Sequence, residues 1–219
     1  MTGSPTTAVL ELAAGVVLVC AVVTLWRRTL RAVVKALALQ GVALGAVALV
    51  LGVHHRDGVL VAIAGLIVVA KGLVIPALLR RVVAADPASR EVAPLVNVPA
   101  SLVGAGALTF LAYGTTRSVV ALVPTAAGRL IPLGFATMLI GFSVMVVRRK
   151  AVSQIVGLLL VDNGIALVAF LATAGVPLLV ELGASLDVLL VVVVLRVLTA
   201  QLRARFGVDD LDQLRELHD

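Results

Sequence analysis

The sequence predicts an all-α fold, a polytopic membrane helix bundle of about seven transmembrane helices, and three observations predict it. Hydrophobic residues make up 61% of the 219-residue chain and charged residues only 14%, where a soluble domain carries about 25% charged. Apolar runs of about 20 residues, enough helix to cross a hydrocarbon core about 30 Å thick, follow one another along the chain. The interruptions between them are short, and every second one is basic. Helices rather than open strands follow because lipid offers no partner to an unpaired strand edge.

Taken in order, the first span covers 8–26. It opens in MTGSPTTAVLELAAG, which lacks the positive n-region of a cleavable signal peptide, and closes on Trp26, Arg27 and Arg28, so it is expected to stay as a span. The second, 32–53, holds Gln40 and the pair Gly41 and Gly45, a G-x-x-x-G spacing that permits close helix contact. A short outer loop with His54, His55, Arg56 and Asp57 leads to the third, 58–79, which holds Lys71. Adjacent histidines point apart on most backbones, and with no further ligand they do not make a metal site. The fourth span covers 95–114. The stretch TTRSVVALVPTAAGRL after it is apolar but broken by Pro124 and Gly128, and is expected to be an interfacial loop. The fifth, sixth and seventh spans cover 130–147, 151–173 and 176–200, with Asp162 and Asn163 in the sixth and Asp187 in the seventh. Residues 1–206 thus form the bundle. Residues 207–219 form a short cytoplasmic tail with Leu211, Leu214 and Leu217 at helical spacing.

Lysine and arginine counts in the connections set the orientation. Arg27, Arg28, Arg31 and Lys35 follow span one; Arg80, Arg81 and Arg90 follow span three; Arg148, Arg149 and Lys150 follow span five; Arg203, Arg205 and Arg215 lie in the tail. The alternate links hold only Arg56, then Arg117 and Arg129, then none. Seven spans with the N-terminus outside and the C-terminus cytoplasmic fit this alternation. The excess of 18 Lys+Arg over 12 Asp+Glu is therefore a topology signal and not a nucleic-acid face. One cysteine, Cys20, excludes an internal disulfide and a thiolate cluster. Walker loop, dinucleotide fingerprint and H-E-x-x-H are absent, so the chain supplies no catalytic, cofactor-binding or metal-ligating residues, and any redox chemistry belongs to partners.

Lys71, Asp162 and Asp187 are the informative residues. A charged group at the bilayer centre costs about 2.5–3.5 kcal/mol on insertion scales, so chains keep such groups for a reason. Asp162 lies eleven residues after Ala151 and Asp187 eleven after Val176, each about 16 Å from its own entrance; Lys71, thirteen after Gly58, reaches much the same level. Groups sharing one depth permit a lateral row of proton exchange, since burial makes a carboxylate hold its proton more tightly and an amine less. The alternative is structural: either aspartate pairs permanently with Lys71, or is neutral and bonded to Asn163, Ser185 or Gln40. Glu11 and Glu181 lie near outer span ends. Arg196, nine residues after Asp187, turns to the opposite helix face and snorkels towards the cytoplasm.

The stretches RRKAVSQIVGLLLVDNGIALVAFLA and LVELGASLDVLLVVVVLRVLTAQLRARFGVDDLD resemble the C-terminal half of hydrogenase-4 component E, a membrane subunit of formate hydrogenlyase and related energy-converting [NiFe] hydrogenases. That half, 148–206 here, is in turn similar to the small K-type component of respiratory complex I and to the C-type component of multisubunit Na+/H+ antiporters. The resemblance rests on Arg148 and Arg149, Gly157, Asp162-Asn163-Gly164 and Asp187, with Lys71 and Pro76 in AKGLVIPALL and Gln40 upstream. Asp162 stands where the family has glutamate, and Ala70 where it has threonine. The resemblance implies a multi-pass subunit of the bacterial inner membrane, non-catalytic on its own, in a complex I-related oxidoreductase complex. Its expected partners are an antiporter-like subunit, the hydrogenase membrane anchor and a cytoplasmic hydrogenase arm, which would hold the NiFe centre and iron-sulfur clusters. Its implied proton path is Asp162, Asp187, Lys71, Asn163 and Gln40. Membership of a multisubunit cation/proton antiporter and a purely structural scaffold are the alternatives.

Overall fold

The computed structural model describes residues 5–27, 29–85, 98–148, 151–172, 197 and 200. Helices α1 (Pro5–Trp26) and α2 (Leu30–His55) form an antiparallel pair, and α3 (Gly58–Ile67) returns along α2. A π-helical segment (Val68–Val74) joins α3 to α4 (Ile75–Ala85). Then come α5 (Val98–Thr115), the short α6 (Arg117–Leu122), a 3-10 turn (Gly128–Leu130), α7 (Ile131–Val147) and α8 (Ala151–Ala172). Six helical runs among the described residues are long and apolar enough to cross a membrane, so the chain is an all-α, multi-pass membrane protein. They match the first six predicted spans. The seventh predicted span, with Asp187, and the 207–219 tail fall outside the described residues, apart from Val197 and Ala200.

Local chemistry explains the joints. Arg56 adopts the left-handed conformation (φ 55°) and returns its N–H to the last turn of α2; Asp57 then caps α3, its Oδ1 accepting from the Val59 and Leu60 N–H groups at 2.9 and 3.2 Å. The two histidines belong to the last turn of α2 rather than to the loop, which contains only Arg56 and Asp57. The stretch 115–130 is not simply a loop: Arg117–Leu122 is helical, though it buries none of its side chains. Pro124 lacks the N–H to continue that helix. Gly128 folds back so tightly on Val123 that no side chain fits there.

Glycines set the closest helix contacts. A Cβ at Gly41 would lie 2.5 Å from the Lys71 carbonyl carbon and 2.7 Å from its oxygen, so the G-x-x-x-G face of α2 carries the backbone of the π segment. On the other side of the bundle, Gly134 and Gly141 of α7 meet α8 beside its own Gly164 and Gly157. This pair packs over its whole length.

The apolar core falls into two clusters. One, nearer the α1–α2 connection, includes Ala21, Leu25, Leu30, Leu37, Ile75, Leu79, Val156 and Leu160. The other includes Leu10, Val17, Leu44, Val47, Ala64, Ile67, Leu167 and Leu171. On α2, α3–α4 and α8 the break between clusters comes at Gln40, Lys71 and Asp162-Asn163. The core is thus two oily layers with a polar layer between them.

Candidate functional site: a polar layer at mid-depth

Four side chains from three separate stretches of sequence build this layer. Gln40 of α2 is fully buried, and its Nε2 donates to the Val17 carbonyl of α1 at 2.9 Å. Its Oε1 accepts from Asn163 Nδ2 of α8 at 2.8 Å. Lys71 of the π segment forms a hydrogen-bonded ion pair with Asp162 Oδ2, one residue before Asn163. Lys71 is 3% exposed and Asp162 17%, so the lysine is sealed in while the carboxylate is partly exposed.

The backbone places Lys71. Ile75 donates its N–H to the carbonyl of Ala70, five residues back, which is the π register. Pro76 has no N–H for the carbonyl four residues back, Gly72, so an α register has nothing to gain there. A π turn inside an α-helix is rare and frequently marks a functional site. Here Lys71 and Gly72 are both buried in it, and Gly41 lets their backbone approach α2. The adjacent Gln40 is thereby fixed beside Lys71's level.

Helix rise predicts Lys71, Asp162 and Asp187 at one depth, with Asn163 and Gln40 as further members of the proton path; the structure brings Lys71, Asp162, Asn163 and Gln40 together. It joins Asp162 directly to Lys71 and Asn163 to Gln40. Asp187 lies outside the described residues. Cys20 is buried in the core as a small apolar group. His54 and His55 sit edge to face with ring centroids 5.2 Å apart, beside a cavity of about 180 Å³ lined also by Thr6, Thr7 and Thr125. Among the described residues no three potential ligands gather to hold a metal ion.

One buried cation carries no sequence signal beyond its place in a basic cluster. Arg148, 4% exposed, reaches across from the end of α7 to the C-terminus of α1, where its Nη2 donates to the carbonyls of Thr24 and, at 3.4 Å, Arg27. Burial lowers its pKa from the ordinary value, while the negative end of the α1 dipole holds the charge in place. A position at a span end, first in an Arg-Arg-Lys run, gives no hint of burial. Only the tertiary contact between α1 and α7 singles it out.

The layer can do two things chemically. A proton can pass from Lys71 Nζ to Asp162 Oδ2, turning an ionic pair into a neutral one without net charge movement out of the pair. The amide chain from Val17 through Gln40 to Asn163 fixes the turn of α8 that presents Asp162.

No family model and no solved structure matches the chain. Uncharacterized protein Rv0085 of Mycobacterium tuberculosis is 49% identical over 210 residues, which span 95% of this chain and 96% of that protein. Sharing half its residues over nearly the whole length of both proteins, the chain belongs to the family of Rv0085.

Proposed function

We propose that this protein is a proton-path subunit of a hydrogenase-4 or formate hydrogenlyase-like complex, seated in the bacterial inner membrane beside an antiporter-like subunit and the anchor of a cytoplasmic hydrogenase arm. The observation that carries the reading is the Lys71–Asp162 pair, held between two apolar layers with its carboxylate still partly open. A buried ion pair is a costly way to hold helices together, because desolvation offsets much of its attraction, so a permanent lock is a poor use of it. A pair that alternates between ionic and neutral states responds instead to charge arriving next to it.

In this reading Asp162 takes and releases the proton, Lys71 sets its charge state, and Gln40 and Asn163 hold the geometry. Asp187, central to the seventh predicted span, is the proposed next acceptor in the row. The NiFe and iron-sulfur chemistry belongs to partner subunits. The resemblance at Lys71, Pro76, Asp162-Asn163-Gly164 and Asp187 supports the choice of complex. The chain's own side chains support proton transfer.

Purifying the protein from its native membrane in mild detergent tests the assignment. Hydrogenase and iron-sulfur polypeptides are expected to co-elute with it. Co-elution with antiporter subunits alone would move the same proton chemistry to a cation/proton antiporter, and elution with no partner would refute the complex.

A further inference from the structure

The amide chain has a direction, and the direction leaves one atom over. The Val17 carbonyl can only accept, so Gln40 must turn its Nε2 towards it. Gln40 Oε1 then faces Asn163 and can only accept, which turns Asn163 Nδ2 inward. Neither amide can be flipped without setting two acceptors against each other, so the assignment follows from the backbone carbonyl at the head of the chain. Asn163 Oδ1 is consequently pointed away from Gln40. It is buried, in a residue only 1% exposed, and accepts no hydrogen bond among the described residues.

A buried amide oxygen without a donor costs about 1–3 kcal/mol, and replacing the residue by leucine would remove that cost in one step. Native cores satisfy such atoms with ordered water when the surroundings offer two or more polar partners. Asp162, adjacent in sequence and in the same polar layer, offers a carboxylate that is 17% exposed. We infer that Asn163 Oδ1 is a binding site for a buried water, which donates one hydrogen to that oxygen and the other to the carboxylate of Asp162. The site adds to the proton path proposed above the group through which Asp162 exchanges its proton, distinct from Lys71. The exchange balances through the water's oxygen: as the water gives a proton to the carboxylate, a second water or hydronium ion bonded to that oxygen supplies the replacement, while Asn163 Oδ1, which can only accept, holds the water in place.

The test is a structure of the full chain in lipid at a resolution that shows ordered water, together with infrared difference spectra of the same preparation in normal and oxygen-18 water. The expected result is a water within about 3.2 Å of Asn163 Oδ1 and an isotope-sensitive O–H band that disappears in Asn163→Leu. A dry oxygen, or a protein side chain donating to it, overturns the inference. If Asn163→Leu does not fold, the wild-type structure decides alone. A water in place with proton uptake unaffected by its loss keeps the site and refutes the relay; an absent water overturns the site whatever vesicle measurements show.

Discussion

Removing Asp162 should damage the protein more than removing Lys71, and removing both should damage it least. Asp162→Leu leaves an ammonium group in a side chain only 3% exposed, in a layer closed above and below by leucine, isoleucine and valine. Breaking a buried pair from one side costs about 3–5 kcal/mol, and here the upper half of that range is expected because Lys71 is almost wholly enclosed. Lys71→Met leaves the carboxylate, which is 17% exposed and so less tightly enclosed than the lysine. Its expected cost is about 1–3 kcal/mol. The double variant Lys71→Met/Asp162→Leu removes both charges and fills the space with apolar volume, so it should lie within about 1 kcal/mol of the wild type or above it. The coupling energy of the cycle is then at least about 4 kcal/mol. Unfolding of the detergent-solubilised protein by dodecyl sulfate, followed by far-ultraviolet circular dichroism, measures all four stabilities. Additive losses would refute the reasoning, since they would mean that the two charges do not feel each other. Equal losses for the two single variants would refute the exposure argument alone.

The other expectations follow from packing and topology. Gly41→Ala places a methyl group 2.5 Å from the Lys71 carbonyl carbon and should cost about 1–3 kcal/mol in the same unfolding assay, whereas Gly65→Ala, with nothing within 4 Å, should be neutral or stabilising by up to about 1 kcal/mol. Gln40→Leu strands the Asn163 amide and should cost about 1–3 kcal/mol, most of it recovered in Gln40→Leu/Asn163→Leu. Arg148→Ala should lose about 1.5–3 kcal/mol with its carbonyl bonds to α1, and Arg148→Lys, lacking the planar fork, should recover only part of it. Cys20, 4% exposed in the core, should resist maleimide in intact membranes, so that a cysteine introduced for Arg56 reports alone; with the N-terminus outside it should label from the exterior of intact cells, and one for Arg27 should not.

Much of this architecture is legible in the sequence because lipid imposes few rules. Length and apolar content mark each span, and six described helices fall within a few residues of those expected, α7 starting at Ile131 where 130 was expected and α8 at Ala151. Depth is legible for the same reason: rise per residue is constant in a helix, so counting from the entrances puts Lys71 and Asp162 on much the same level. Counting cannot say which groups touch. The pairing of Lys71 with Asp162 depends on helix rotation, which the π segment changes locally and which Gly41 permits by letting two backbones meet. A lone proline five residues after Lys71 is the only sequence trace of that segment. The helix between Arg117 and Leu122 is hidden because a six-residue piece that buries nothing has no periodic face to read. Arg148 is hidden because a span-end arginine looks the same whether it faces headgroups or another helix's carbonyls.

The Lys71–Asp162 pair is proposed to exchange protons rather than merely to fasten helices. Proton uptake by inverted membrane vesicles during turnover of the intact complex separates these roles, comparing wild type with the charge-free double variant Lys71→Met/Asp162→Leu, whose stability and assembly are expected to be preserved. The expected result is normal assembly with proton uptake lost or reduced at least tenfold. Wild-type uptake in an assembled complex that lacks both groups would contradict it.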